Sequence, residues 1–459
     1  MATSASSESG RQWGKSLRGL VPRSSHGTWS PAPERPDPVD VVTSQNADRM
    51  QFLVPIRHWR MSQSLFAFYR GTAKIMAGDL APTPNTGITA QICGDAHLSN
   101  FGVYGSPERE LVFDVNDFDE TLPGPWEWDV KRLATSFVIA ARHRGFNKKQ
   151  RGYAVQATAA YRDAMATFAD MTYLEAWYST VTFDDIYEAF SDQITKKQTK
   201  RGRKFVTKAR SKDNLHSLEK LAEEVDDTYR IVAQPPLIIP LRDLPEVGDQ
   251  AEVGAIMEDE LLGYLASVPD HLAVLLKRYR PVDVAVKVVG VGSVGTKDAI
   301  VLLEGRDAAD PFFLQVKEAG PSVLEGHLPA SRYKNHGQRV VEGQQLMQAA
   351  SDSFLGWNIG QVTGTHYYWR QLKDMKASVD IEKETSKSLS RYAQLCGWTL
   401  ARAHSRSGDA AAIAGYLGSG SVFDDAIADF ALTYADQSES DFSAFTNAIE
   451  SGRIDAHEG

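Results

Sequence analysis

The spacing of hydrophobic positions changes several times along the chain, and each change marks a different kind of element. From Asp48 to Ala77, the positions of Met50, Leu53, Val54, Leu65, Phe66 and Phe68 predict helix, interrupted at Pro55. Short strands are predicted at Ile88–Ile92 and Glu110–Val115, bounded by Gly and Pro turns. Residues 126–190 carry a helical pattern that begins at Trp126-Glu127-Trp128, and Leu215–Arg230 carries another, stopped by Pro235-Pro236. Val282–Val291, Ala299–Leu303 and Phe312–Val316 are rich in β-branched and apolar residues between Gly-rich or acidic turns, which predicts an antiparallel sheet. An amphipathic helix follows at 335–350, a strand at Tyr367–Leu372, and helix from about Ser386 to Ile454. The fold class is therefore α+β, with a small sheet unit set between helical blocks. Four segments are expected: an arm at 1–45, a first helical block at 46–235, a sheet unit at 236–375 and closing helices at 376–459. The arm is expected to be extended or disordered, because it is rich in Ser, Gly and Arg and carries Pro31, Pro33, Pro36 and Pro38.

Composition narrows the function classes. The chain has 459 residues, 42% of them hydrophobic and 24% charged, so it can bury a substantial core. A disordered chain, a fibrous repeat and a disulfide-stapled miniprotein are excluded. The net charge of −9, from 50 Lys and Arg against 59 Asp and Glu, argues against a protein that coats nucleic acid. Two cysteines, Cys93 and Cys396, cannot make a disulfide framework or a four-ligand zinc site, so a reducing compartment is expected, and composition as a whole reads as a soluble cytoplasmic protein of enzyme size. No run of about 18 apolar residues predicts a membrane span, and residues 1–25 lack the apolar stretch of a secretory signal. Between Lys196 and Lys212 stand nine Lys or Arg and no acid, a solvated face or a contact for an anionic group.

Chemistry concentrates in three places. The first is Cys93-Gly94-Asp95-Ala96-His97-Leu98-Ser99-Asn100, just after a strand, where Asp95 and Asn100 can aim hard oxygen donors at one point. The second is Asp114-Val115-Asn116-Asp117-Phe118-Asp119-Glu120, with four acids in seven residues. Such like charges repel unless a cation sits among them or water separates them, and one or two Mg²⁺ would suit the cluster. Asp129, at the helix start in Trp126-Glu127-Trp128-Asp129, is read as a brace for the first loop through backbone amides. The third is Gly290-Val291-Gly292-Ser293-Val294-Gly295. Because the residues after it read as another strand, it is a hairpin suited to covering phosphates rather than a dinucleotide site. Lys317, in Phe313-Leu314-Gln315-Val316-Lys317, needs an anionic partner if it faces inward. Glu342, on the following helix, is placed to supply one.

Together these pieces resemble the ATP-binding apparatus of the protein-kinase-like superfamily, nearest in motif to the aminoglycoside and choline kinases. Gly94-Asp95 with Asn100 resembles their H-G-D-x-x-x-x-N catalytic loop, with Cys93 where they carry His. Asp117-Phe118-Asp119 resembles their metal-binding Asp motif, with Asp114 as a competing match. Gly290, Gly292, Ser293 and Gly295 resemble the phosphate loop, Lys317 the strand lysine, Glu342 its helix partner, and Tyr368 to Leu372, including Arg370, the hinge beside adenine. The resemblance implies a two-lobed fold binding ATP and Mg²⁺, with Asp95 as base and Asn100 with Asp117 or Asp114 on the metal. It implies a small-molecule acceptor, and either phosphoryl transfer, nucleotidyl transfer or a nucleotide-binding regulatory role. The glycine loop follows the catalytic loop by almost 200 residues instead of preceding it, which implies a circular permutation. Residues Leu395 to Arg406 resemble the helix that normally leads into the catalytic loop.

At whole-chain level, Phe68-Tyr69-Arg70-Gly71, the Gly94–Leu98 loop, Asn116–Glu120 and Trp126–Asp129 resemble a bacterial family known as a domain of unknown function, over roughly residues 35–455.

Overall fold

The computed structural model describes residues 7–189, 206–207, 214–225, 228–244, 250–288, 292, 294–361, 363–372 and 375–458. The helices that position the site are Trp126–His143 (α1), Gln150–Asp170 (α2), His336–Met347 (α3), Ser386–Ser405 (α4) and Val422–Glu450 (α5). Sixteen of the 18 residues of α1 are buried, so it runs through the interior, with α2, α4 and α5 packed around it. Burial of its charged residues is met locally. Glu127 accepts the N–H and hydroxyl of Thr86 (2.8 and 2.6 Å), and Lys131 donates to the Thr83 hydroxyl at 3.2 Å. Helices α2 and α4 approach so closely that a Cβ on Gly397 would lie 2.0 Å from the carbonyl oxygen of Ala157.

The arm is ordered from Ser7 onward, which corrects the expectation of an extended or disordered segment. Ser7–Leu17 is a helix laid against the helix Ala410–Leu417. Its small apolar content does not matter, because polar groups hold it in place. Arg18 donates to the carbonyls of Gly415 and Tyr416, Arg23 to that of Leu417, and Arg35 bridges Asp79 and Asp441.

Strands β1 (Thr89–Ile92), β2 (Phe101–Gly105), β3 (Leu111–Val115) and β4 (Leu122–Pro125) form two small pairings within the first helical block, β1 with β4 and β2 with β3. The helix expected at Leu215–Arg230 ends at Leu221, and β5 (Ala222–Val225) with β6 (Thr228–Ile231) replaces its second half. Val225, Thr228, Tyr229 and Ile231 suit a strand, and Ile231 is buried against the main sheet.

The main sheet is made by β7 (Ile238–Pro240), β8 (Arg280–Lys287), β9 (Ala299–Glu304), β10 (Pro311–Glu318), β11 (Gly356–Ile359) and β12 (His366–Gln371). Its order is β11-β12-β10-β9-β8-β7, with every neighbouring pair antiparallel, as the β-rich runs predict. Alternation along β10 sends Phe312, Leu314 and Val316 into one apolar cluster, with residues of the helices Gln250–Leu265 and Asp270–Leu276. Phe313, Gln315 and Lys317 take the other face. After β12 the chain crosses back through β13 (Ala377–Ser378), which pairs with β2.

Candidate functional site

The loop between β1 and β2 is held from below by α1 and α4. Asp129 accepts the N–H groups of Cys93 (2.8 Å) and Gly94 (3.0 Å), so it braces the loop through backbone amides as the sequence suggests. His404 on α4 lies 3.2 Å from the same carboxylate through Nε2, with its Nδ1 2.9 Å from the Tyr161 hydroxyl. Tyr392, also on α4, donates to the carbonyls of Leu98 (2.6 Å) and Phe101 (3.0 Å). Gly94 has φ +76°, and a Cβ there would meet the carbonyl oxygen of Glu120 at 2.7 Å. The Asn100 amide donates to the carbonyl of Asp95 at 2.7 Å and closes the turn.

The Asp95 carboxylate receives Arg132 Nε at 2.5 Å, while its second oxygen lies 3.6 Å from His97 Nε2. Arg132 is itself pinned by a hydrogen bond to the Tyr69 carbonyl (2.9 Å) and by the Tyr69 ring, 4.3 Å away. Burial pushes the Asp95 carboxyl above its ordinary range, against the opposing pull of Arg132. Arg132 has no counterpart in the sequence expectations. Its signal was present: Asp129 and Arg132 are three apart on one helix and share a face.

The acidic segment divides by partner. Asp114 is removed from the metal candidates: one oxygen pairs with Arg402 at 2.5 Å and accepts the Val115 N–H, and the other accepts the Ala349 N–H at 3.1 Å. At 2% exposure it is a buried structural carboxylate. Asp117 lines the open cleft, where burial and the neighbouring Asp119 charge push its carboxyl upward. Asp119 takes Lys317 Nζ at 2.6 Å and the Tyr368 hydroxyl at 2.6 Å. Burial would raise the Asp119 carboxyl, but Lys317 holds it below the usual value.

Lys317 therefore has its acid, and that acid is not Glu342. Glu342 sits half-buried on α3 and does not line the cleft. The helix instead sends Arg339 toward the site, donating to the carbonyls of Asp119 (2.7 Å), Thr121 (2.8 Å) and Gly320 (2.9 Å).

The glycine segment joins antiparallel β8 and β9, so it is a hairpin. Gly290 and Ser293 lie outside the described residues. Gly292 lines the cleft, and Gly295 has φ +89°, with its carbonyl accepting the Met50 N–H at 2.7 Å. On β12, Arg370 donates to Gln315 at 3.0 Å and lines a second cavity of about 780 Å³ with Gln371, Tyr104, Phe312 and Asn116. Leu372 does not contribute to a nucleotide site: it is buried among Phe313, Leu302 and Ile300, and its N–H donates to Phe313. Of the basic run Lys196–Lys212, only 206–207 are described.

One cleft of about 690 Å³ thus gathers Asp95, Asn100, Asp117, Asp119, Gly292 and Lys317, drawn from segments almost 200 residues apart. The family described as an uncharacterized protein conserved in bacteria (DUF2252) matches residues 49–448, a span that holds all of these residues. The chain belongs to this family. No curated protein and no solved structure matches the chain. The family span takes in the Asp95 loop, the Asp117–Glu120 segment, the glycine hairpin, Lys317 and α4, and Ser44, Gln45 and Asp48 of the cleft wall precede it. No helix among the described residues is long and apolar enough to cross a membrane.

Proposed function

We propose that this DUF2252 protein is an ATP- and Mg²⁺-dependent phosphotransferase that passes the γ-phosphoryl group to a hydroxyl of a small molecule. The observation that carries the reading is the shared cleft, in which the Asp95–Asn100 loop and Asp117 meet Lys317 and Gly292. The fold is read as a protein-kinase-like pair of lobes in circularly permuted order. In support, glycine hairpin, lysine strand β10, helix α3 and hinge strand β12 follow one another in the sheet unit, and α4 underpins the catalytic loop.

In this reading the acceptor hydroxyl lies at Asp95. Arg132 fixes the orientation of that carboxylate, and burial raises its affinity for the proton it receives. Lys317 grips the nucleotide phosphates, with Asp119 and Tyr368 holding the ammonium in place. Burial opposes its charge, yet Asp119, Tyr368, Asp117 and Asp298 hold it well above its ordinary pKa, so it stays a cation. The cavity beside Arg370 and Gln371 has room for the base and ribose.

Asn100 and Asp117 would hold Mg²⁺. Among the described residues no group of three or more His, Cys, Asp or Glu is arranged to hold a metal. That fits Mg²⁺, which takes one or two protein oxygens and completes its shell with phosphate and water. Bound there, the ion would neutralise phosphate charge. The remaining catalysis is positioning by the protein's own groups.

Incubation with γ-labelled and α-labelled ATP, Mg²⁺ and a metabolite extract tests the reading. Label passing from the γ position alone is expected. Transfer from the α position would make the protein a nucleotidyl transferase, and no transfer from either would remove the enzyme reading.

A further inference from the structure

The signature Phe68-Tyr69-Arg70-Gly71 reaches the cleft, yet Arg70 serves none of the roles above. Among the described residues its guanidinium has no hydrogen bond or ion pair, and its Nε is buried without a partner. Nearby, Arg57 is only 1% exposed. Its NH1 donates to Asn46 Oδ1 at 2.8 Å and toward the Val42 carbonyl at 3.5 Å, and its Nε has no partner. Among the described residues Arg49 donates to two carbonyls, of Gln45 (3.0 Å) and Val294 (2.5 Å).

The rest of the fold treats buried arginines differently. Arg132, Arg339 and Arg402 are as deeply buried as Arg57, and each has a carboxylate within reach: Asp95 at 2.5 Å, Glu325 at 3.9 Å and Asp114 at 2.5 Å. Arg57 is the one buried arginine among the described residues that lacks a carboxylate. A buried cation without a counter-ion is strongly unfavourable, and placing a second guanidinium beside it makes matters worse. Burial, together with Arg49, holds the Arg57 pKa down at about 9. All three arginines, with Lys74, line the cleft on the wall built from residues 44–74, whereas Gly292, Thr296 and Lys317–Val323 line it from the sheet side. Arg70 is close enough to Asp95 and Asp117 for their charges to act on it, so this basic wall adjoins the base.

We infer that Arg49, Arg57 and Arg70 form an oxyanion subsite for the acceptor, which carries a phosphate-type dianion in addition to its hydroxyl. The nucleotide phosphates have their own cation in Lys317, so a second cationic wall next to Asp95 serves a second ligand. Guanidinium forks match phosphate oxygens in geometry, and three of them suit a dianion better than a single carboxylate. The assignment of this anion to the acceptor rests on the phosphotransferase reading; the anion site itself does not.

The test is a calorimetric titration of inorganic phosphate into the full chain, with and without saturating Mg²⁺ and the β,γ-imido analogue of ATP. Expected are phosphate binding in both conditions, a loss of at least tenfold in Arg70→Met, and unchanged phosphate affinity in Lys317→Ala. Acetate is expected to bind far more weakly than phosphate. Arg70→Met removes a side chain with no internal partner, so its folding is secure; Arg57→Met is the second variant, read alongside its melting curve. No phosphate binding, wild-type affinity in Arg70→Met, one-for-one displacement by the nucleotide analogue, or acetate binding as tightly as phosphate would each overturn the inference. Phosphate binding that persists in a protein unable to transfer label would leave the anion site standing and remove only the acceptor assignment.

Discussion

Lys317 and Asp119, 198 residues apart in sequence, form an ion pair of 2.6 Å that ties the sheet unit to the acidic segment. Removing the lysine therefore has two effects. Lys317→Ala is expected to weaken ATP binding at least tenfold and to lower stability by about 1 kcal/mol, because a half-buried carboxylate loses its cation. In the double variant Lys317→Ala/Asp119→Asn, stability should recover while nucleotide affinity stays low. Melting curves and calorimetry on the same samples separate the two, and parallel recovery of both would contradict the assigned role.

Asp95 and Lys317 should fail differently. Asp95→Asn is expected to keep nucleotide affinity within a few fold of wild type while turnover drops by roughly two or more orders of magnitude, the size of a lost general base. Label-transfer rates at saturating ATP provide the check; an unchanged rate would exclude Asp95 as the base.

The two aspartates that competed for the metal should part cleanly. Asp114→Asn leaves Arg402 buried without its carboxylate, so a loss of about 3–5 kcal/mol in stability is expected, with the Mg²⁺ dependence of ATP binding intact. Asp117→Asn should do the reverse, sparing the melting temperature and abolishing the effect of Mg²⁺ on ATP affinity. Swapped outcomes would return Asp114 to the metal site.

Asp298 gives a pH signature. It is 1% exposed, one carboxylate oxygen has no partner, and burial pushes its pKa from 3.8 up to about 7. Because the folded state binds this proton more tightly than the unfolded state, the stability it contributes is full below about pH 4. That stability is lost as pH rises through about 7. Asp298→Asn, uncharged at every pH, should flatten the fall in melting temperature between those limits and leave the protein more stable than wild type at pH 8. A wild-type slope in the variant would show that Asp298 is not the group responsible.

The elements whose burial follows a simple period were legible in sequence: the helical pattern starting at Trp126, the β-rich strands of the sheet unit, and the hairpin nature of the glycine segment. Strands β2 and β4 were not, because Phe101–Gly105 is five residues long and two of them, Gly102 and Gly105, are glycine, and Leu122–Pro125 has prolines and a glycine that disfavour strands. The ordered arm was missed for a related reason. It is held by arginines capping carbonyls near Leu417 and by Arg35 between Asp79 and Asp441, contacts whose partners, Asp79 apart, lie hundreds of residues away. Among site residues, Asp95, Asn100, Asp117 and Lys317 meet as their motifs suggest, whereas Glu342 gave way to Asp119. Sequence spacing could place a glutamate on the following helix, but not the rotation of that helix, which presents Arg339 to the site instead.

Gly94 sits close enough to the Glu120 carbonyl that not even a methyl group fits between them. The Asp95 loop and the acidic segment are in direct contact through backbone, and Asp129 anchors that contact from beneath. The floor of the cleft is therefore rigid before any ligand arrives. Ordering entropy is already settled in the folding of the chain, so the interaction energy of an incoming molecule goes into discriminating among ligands rather than into assembling the loops around them.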